Sequence, residues 1–252
     1  MISAVGVVVP ARNEQDRIGA CLRSVRQALH WLPGGVAVAV AVVLDRCSDE
    51  TSARVAAVID GWPQAEALLV GWDGQASPRP GGAASGDVGM LRSVGLARAL
   101  SRLRPHPTDR TWLLSTDADT TVPEDWVREH LRLAATGAHG VAGLAELDGA
   151  AHLSPEARRR YRAIVERGIR GRAHGHVYGA NLGVRADAYL AVDGFPVGAG
   201  AGEDHGLWRQ MAAAGYRLEH PTSLRVRTSA RLHGRAEGGL ADLLRALDDQ
   251  EA

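Results

Sequence analysis

Two carboxylates stand two residues apart in Ser115-Thr116-Asp117-Ala118-Asp119, directly after the apolar run Thr111 to Leu114. At the end of an extended segment alternate side chains leave on the same face, so Asp117 and Asp119 project together. Such a pair repels itself and favours a cation, most naturally a hard divalent ion such as Mg²⁺ or Mn²⁺ that prefers oxygen ligands. An ion held by so few protein oxygens keeps positions for the phosphates of a ligand. The plainer reading is that both residues serve a turn and a helix start, where Asp is common. The spacing alone does not choose between the two.

A second acidic pair, Glu203-Asp204, opens a helix-like pattern with Leu207, Trp208 and Met211 inward and Gly215 at its close. Asp at the start of a helix is a favoured cap.

The elements that must carry these residues alternate between strand and helix through the first half. That pattern predicts an α/β domain with a mostly parallel sheet flanked by helices. Ala4 to Val9 is a β-branched run expected of a strand buried on both faces. It ends at Pro10-Ala11-Arg12-Asn13-Glu14, and a helix follows with Ile18, Leu22, Val25 and Leu29 on one side. Val36 to Leu44 is the second strand, ending at Asp45, and a helix from about Asp49 to Ile59 turns Val55, Val58 and Ile59 inward. Ala67 to Val70 is a third strand.

Gly71 to Gly89 is rich in Gly, Pro, Ser and Ala and reads as a mobile lid or disordered insertion. A helix with Leu91, Gly95, Leu96, Leu100 and Leu103 then leads to the strand Thr111 to Ser115. Beyond the acidic pair, Thr121-Val122-Pro123-Glu124 has capping-box spacing for a helix carrying Trp126, Val127, His130, Leu131 and Ala134. Strands are expected at Val141 to Leu147 and Val177 to Val184. A long helix starts at Ser154-Pro155-Glu156 with Tyr161, Ile164, Val165 and Ile169 on its buried side. Another helix spans Ala186 to Val192, Gly198 to Gly202 reads as flexible, Arg217 to Val226 is a further strand, and Leu240 to Leu247 forms a terminal helix. The expected organisation is one domain over 1–252, with a first half at 1–120, a second half at 121–235 that builds on the same sheet, and a C-terminal helix or tail at 236–252.

Asn13 and Glu14, Asp45, and Asp117 with Asp119 all follow strands, and ligands of open α/β sheets bind beyond those carboxyl ends. Here the sequence resembles the GT-A glycosyltransferases of family 2. The resemblance is carried by Val7-Val8-Val9-Pro10-Ala11-Arg12-Asn13-Glu14, Val43-Leu44-Asp45-Arg46-Cys47-Ser48-Asp49-Glu50-Thr51 and Leu114-Ser115-Thr116-Asp117-Ala118-Asp119. It continues in Gly179-Ala180-Asn181-Leu182-Gly183-Val184-Arg185, Asp193-Gly194-Phe195 and Gly202-Glu203-Asp204, in the family's order over residues 4 to 215.

The resemblance implies a GT-A (Rossmann-like) fold in which Pro10, Ala11, Asn13 and Glu14 line a nucleotide pocket and Asp45 meets the base. Asp117-Ala118-Asp119 looks like the DxD motif, with Asp119 the direct ligand of a divalent cation (Mn²⁺ or Mg²⁺) and Asp117 nearer the ribose or a metal-bound water. Arg92 supports the same site. Glu203-Asp204 is similar to the ED motif, whose Asp is the general base on the acceptor hydroxyl, with Glu203 as substitute. Asn181 and Arg185 fall near the acceptor. The implied function is transfer of a sugar from a UDP- or GDP-linked donor to a small or lipid-linked acceptor, with inversion. The alternatives are a silent nucleotide-sugar-binding module, a retaining transferase, or a nucleotidyltransferase, although no Gly-rich phosphate loop follows the first strand.

Three departures stand out. Arg46 follows Asp45 where relatives often carry an acidic or small residue, Ser93 stands where Asn is frequent, and the Gly71 to Gly89 connection is long. A third metal ligand, often a late His in such chains, is His220 or His233.

The net charge is zero, with 29 basic and 29 acidic residues, so overall charge gives no argument for nucleic-acid binding. Every basic residue is Arg. Arg158, Arg159, Arg160, Arg162, Arg167, Arg170 and Arg172 crowd one segment, which reads as a solvated face or, more sharply, as contact with an anionic acceptor or membrane surface. Cys21 and Cys47 match neither a disulfide framework nor a metal spacing and are expected to be reduced thiols. Val36 to Leu44, the longest apolar run, has nine residues against the roughly 20 of a membrane helix. A soluble, cytoplasmic protein is the expectation.

Overall fold

A computed structural model describes residues 1–70, 87–196, 202–234 and 238–249. Along them run β1 (Ala4–Ala11), α1 (Ile18–His30), β2 (Ala37–Asp45), α2 (Thr51–Ile59), β3 (Ala65–Val70), α3 (Val88–Arg102), β4 (Thr111–Ser115), β5 (Thr120–Thr121), α4 (Trp126–Ala135), β6 (Gly140–Ala142) and β7 (Leu144–Asp148). Then come α5 (Pro155–Arg167), β8 (Ile169–Arg170), β9 (Ala173–His174), β10 (Leu182–Arg185), α6 (Ala186–Ala191), α7 (Glu203–Ala213), β11 (Leu218–Glu219), β12 (Arg225–Ser229) and α8 (Leu240–Asp248). Of the connection expected over Gly71 to Gly89, residues 71–86 lie outside the described set, as do 197–201 of the glycine-rich stretch before α7.

The main sheet has seven strands in the order β11-β6-β10-β4-β1-β2-β3. β1 pairs in parallel with β2 and β4, β2 in parallel with β3, and β10 runs antiparallel to both β4 and β6. It is the mixed, mostly parallel sheet expected from the sequence. β1 is buried at every residue because helices cover both faces. Val5, Val7 and Val9 meet Ile18, Leu22 and Val25 of α1, together with Trp126 of α4. The alternate residue Val8 joins Val43, Leu91, Leu96, Leu207 and Met211 on the other face. Pro10 is tolerated in this central strand because the pairing with β4 ends at Val8 opposite Ser115, leaving no ladder on that side for a missing N–H to break.

Gly95 sets the depth at which α3 rests on the sheet. A Cβ there would overlap the Val8 side chain and lie 2.8 Å from Val43 Cγ2, so only glycine allows the helix this close to β1 and β2. The helix begins sharply: the Asp87 carboxylate accepts from the backbone N–H of Gly89 and Met90, satisfying two of its first donors.

The second half departs from the sequence reading at five places. The strand expected over Val141 to Leu147 divides at Gly143, with β6 in the main sheet and β7 in a second sheet ordered β5-β12-β7. Gly143 N–H donates to Asn181 O at 2.9 Å, and a Cβ at Gly143 would strike the Asn181 side chain, so the chain steps between sheets where that amide needs room. Arg217 to Val226 divides in the same way, into β11 beside β6 and β12 beside β7.

Thr121 does not cap a helix; it lies in β5, where Thr120 Oγ1 donates to Thr228 Oγ1 of β12 at 3.0 Å. Helix α4 starts later, after Asp125, with no side-chain cap. Ile169 has left α5 for the hairpin β8–β9, and Gly179–Asn181 is a 3-10 turn ahead of β10 rather than strand. The helix expected from Ser154-Pro155-Glu156 is α5, and the Ser154 Oγ caps it by accepting from Ala157 N–H. Leu244 and Leu247 of α8 close over Tyr161 and Ala157 of α5.

Candidate functional site

The carboxyl ends of β1, β2 and β4 converge, and the loops leaving them are stitched together by side-chain-to-backbone hydrogen bonds. Asn13 takes a left-handed conformation, φ +53°, and its Oδ1 accepts from Ser48 N–H at 2.8 Å. Glu14 N–H donates to Thr51 Oγ1 at 2.6 Å, Gln15 N–H to Asp49 Oδ2 at 3.2 Å, and Glu50 N–H to Gln15 Oε1 at 3.0 Å. Asn tolerates positive φ better than other non-glycine residues, and so it can make this turn. A cleft of about 250 Å³ opens beside it, lined by Asn13, Glu14, Gln15, Asp16, Arg17, Asp49 and Arg231. A larger depression lies at Trp62 and Ala65, at the amino end of β3 and far from these carboxylates.

Asp45 ends β2 and is gripped by Arg46, whose Nε and Nη2 donate to its two oxygens at 2.8 and 3.0 Å, with Arg12 Nη1 3.7 Å away. Pro10 and Ala11 are the buried last residues of β1, paired with Val43 and Leu44.

The centre of the site is Arg92, 3% exposed, which points from α3 into the gap between β4 and α7. Its Nη2 donates to Asp117 Oδ1 at 2.6 Å, its Nε to Glu203 Oε1 at 3.2 Å, and its Nη1 to Ser115 Oγ at 2.5 Å and Gly179 O at 3.3 Å. One guanidinium thus joins the end of β4, the turn before β10 and the first residue of α7. Burial works against the Arg92 charge, but Asp117 and Glu203 outweigh it and hold the group protonated beyond the ordinary arginine value.

Glu203 is buried beneath Gly89, and burial pushes its carboxyl up while Arg92 pulls it back. With Oε2 accepting from Gly202 N–H at 3.2 Å as well, Glu203 serves as a strut. Asp204, next along the helix, is half-buried; its Oδ2 accepts from Gly179 N–H at 2.8 Å and its Oδ1 from His205 N–H at 2.7 Å. Two fixed N–H groups orient this carboxylate, as a proton acceptor requires. The hydroxyl of half-buried Tyr178 is pushed up to about 12, by burial first and the Asp204 charge second.

Asp119 is met by a residue that nothing in the sequence singled out. Arg231, just past β12, places Nη2 3.1 Å from Asp119 Oδ2 and donates from Nη1 to Glu14 Oε1 at 2.6 Å. It therefore bridges the loop after β1 to the Asp117-Ala118-Asp119 turn. Burial pushes the Asp119 carboxyl up, with Arg231 opposing. A lone arginine after a strand has no spacing signal; only the return of β12 beside β5 brings it here.

Four of the expected residues make their contacts away from this cluster or lie exposed. Asn181 is fully buried, its Oδ1 accepting from Trp126 Nε1 at 2.9 Å and its Nδ2 donating to Leu144 O and Leu224 O, so its amide braces the step between the two sheets. Arg185 sits opposite Trp112, at the other end of β4 from Asp117, and pairs with Asp187 at 2.6 and 2.8 Å. His220 accepts the Trp208 indole N–H at 2.8 Å within an aromatic group that includes His174, and His233 is exposed.

Among the described residues, no group of three or more His, Cys, Asp or Glu could hold a metal ion. Asp117 and Asp119 do offer the hard oxygen donors that Mg²⁺ or Mn²⁺ takes, and such ions often use one or two carboxylates together with substrate phosphates. The donor chemistry fits; the guanidinium on Asp119 is the competitor. Both cysteines are free thiols, Cys21 buried with its Sγ donating to Asp117 O at 3.3 Å. No described helix is long and apolar enough to cross a membrane.

No protein-family model matches the chain, and no curated protein matches it. Solved structures do. The fold is similar to that of the mannosyltransferase PcManGT from Pyrobaculum calidifontis, solved in complex with GDP-Man and Mn²⁺, at 20% identity and a TM-score of 0.59, covering 92% of this chain and 58% of that one. It is also similar to S. aureus TarS 1-349 in complex with UDP-GlcNAc, at 13% identity and a TM-score of 0.64, covering 98% of this chain and 65% of that one. The chain spans less than two thirds of either. At these identities the likeness establishes a GT-A-like fold, the one expected from the sequence.

Proposed function

We propose that this chain is a glycosyltransferase that moves a sugar from a nucleotide-diphosphate donor, UDP- or GDP-linked, to an acceptor hydroxyl with inversion. The observation that carries the reading is the single buried guanidinium of Arg92, which joins the Asp117 end of the DxD-like turn to the Glu203-Asp204 start of α7. A donor-side acid and an acceptor-side acid are thereby held in fixed relation, as an in-line displacement requires.

Residues 1–120 supply the donor half. Pro10, Ala11, Asn13 and Glu14 line the nucleotide cleft, Asp45 with its two arginines meets the base, and Asp117 with Arg92 faces the ribose and diphosphate. Residues 121–235 supply the acceptor half. Asp204, oriented by the Gly179 and His205 N–H groups, takes the proton from the acceptor hydroxyl as it attacks the anomeric carbon, and Glu203 keeps α7 against Arg92. Asp119, with Asp117, holds a divalent cation, Mn²⁺ or Mg²⁺, which when bound neutralises the charge that grows on the departing diphosphate. Neighbours of this fold solved with GDP-Man and Mn²⁺ or with UDP-GlcNAc support that choice of donor and ion.

The test is direct. Purified protein with Mn²⁺ or Mg²⁺ is expected to bind a UDP- or GDP-sugar and hydrolyse it slowly, and Asp119→Ala to lose both cation-assisted binding and turnover. Failure of every nucleotide sugar in a broad panel to bind with either ion would overturn the reading. The anomeric coupling of the transferred sugar distinguishes inversion from retention.

A further inference from the structure

Arg231 has no part in the roles above, yet it bridges two loops at the cleft. Its two Nη atoms contact two different carboxylates, Glu14 at 2.6 Å and Asp119 at 3.1 Å, on loops that leave different strands. The side chain is about a quarter exposed, and Asp119 is 11% exposed. Asp119 therefore already has a resident cation against one of its carboxylate oxygens. Asp117, Glu14 and Arg17 complete the charged surroundings.

A guanidinium and a divalent ion held on one carboxylate group repel each other as like charges at close range. If an ion arrives alone, Arg231 is pushed off Asp119 and left beside it with only Glu14 as partner. If the ion arrives with a diphosphate, the added negative charge offsets the ion and offers the displaced guanidinium new oxygens, which arginine binds well through its forked donors. The same side chain opposes one ligand and welcomes the pair.

We propose that Arg231 is a positioning residue that occupies Asp119 until cation and diphosphate bind together, making the uptake of the two strongly coupled. The proposal rests on the reading of Asp119 as a cation ligand. Coupling of this kind is reciprocal, so the nucleotide tightens the ion by the same factor by which the ion tightens the nucleotide.

The experiment measures Mn²⁺ binding by titration calorimetry or by the free-ion paramagnetic resonance signal, without donor and then with UDP or GDP. For the unaltered protein, nucleotide is expected to tighten Mn²⁺ by about tenfold or more. In Arg231→Gln, Mn²⁺ alone is expected to bind about tenfold tighter than in the unaltered protein, with most of the coupling lost. The gain should vanish in Arg231→Gln/Asp119→Asn. Arg231→Met, which keeps the apolar stem, is the second variant, and circular dichroism identifies which variants are folded. A folded Arg231 variant with unchanged affinity for Mn²⁺ alone overturns the proposal, as does an unaltered protein that binds Mn²⁺ equally well with and without nucleotide. The Mn²⁺-alone arm needs no sugar donor. Failure of a nucleotide-sugar panel would thus count against the transferase reading, while this arm still decides whether Arg231 and Mn²⁺ compete for Asp119.

Discussion

Nη2 of Arg92 and Oδ1 of Asp117 lie 2.6 Å apart, one group almost fully buried and the other a third exposed. The arginine is committed on its other side to Glu203, so the pair is one arm of a buried triad joining α3, β4 and α7. Removing the cation would strand a buried Glu203 carboxylate, whereas Asp117 can partly rehydrate. Arg92→Met is therefore expected to destabilise the fold by about 3 kcal/mol, at the low end for a broken buried ion pair. Urea denaturation reads this directly; a midpoint within error of the unaltered protein would show that the triad contributes no net stability.

Asp204 and Glu203 are neighbours in sequence with different duties, and conservative amides separate them. Asp204→Asn keeps an oxygen for the Gly179 N–H but loses its basicity. It is expected to lower transfer by about two to four powers of ten while donor binding stays near that of the unaltered protein. Glu203→Gln weakens the hold on Arg92 and is expected to lower stability along with activity. Equal transfer rates for Asp204→Asn and the unaltered protein would remove Asp204 from the mechanism.

Those two acids were legible in the sequence, and Arg231 was not, for a physical reason. Asp117, Asp119, Asp45 and Glu14 sit at the ends of strands whose apolar runs announce themselves, so the strand pattern locates them. Glu203 and Asp204 open a helix with a clear apolar face. Arg231 reaches the site only because β12 returns beside β5 and β7, and that pairing depends on the step between sheets at Gly143. The stretch Val141 to Leu147 is apolar but for Gly143 and Glu146 and so reads as one strand, which conceals that step. The same blind spot hid the partners of Asn181. Its motif neighbours suggested an acceptor contact, but an amide that braces two carbonyls and an indole is visible only once the sheets are built.

Gly95 lies one turn beyond Arg92 on α3 and controls how closely that helix approaches the sheet. Gly95→Ala gains helix propensity worth about 1 kcal/mol but forces the new methyl into Val8 and Val43, whose overpacking costs about 1–3 kcal/mol. The expected outcome is a net loss of stability and a shifted Arg92, with donor binding weakened as well. Gly34→Ala, with nothing within 4 Å of the new carbon, is the control and should be close to neutral. If thermal melts place Gly95→Ala at or above the unaltered protein, the close approach of α3 is not a constraint.

His130 gives the fold a defined sensitivity to acid. Its ring is fully buried between Trp112 and Trp126, with centroids 6.3 and 5.6 Å away, and burial pushes its pKa down to about 3. In the unfolded chain the same imidazole titrates near 6.5. Below that pH the unfolded state takes up a proton that the folded state refuses, so stability is complete above about 6.5 and falls as the pH drops toward the folded value. At pH 5.5 the loss from this one group is about 1.4 kcal/mol. His174, held down to about 4 chiefly by burial, adds a loss of the same sign. Glu203 and Asp119, whose carboxyls burial holds up, act in the opposite direction at lower pH, which confines the clean window to about pH 5.5 to 7.5. His130→Leu removes the titrating group whatever its own packing cost. Its drop in unfolding free energy across that window is therefore expected to be smaller than that of the unaltered protein by about 1 kcal/mol. Parallel urea titrations at the two pH values supply both differences, and identical drops would mean that His130 is protonated, or reached by water, in the native fold.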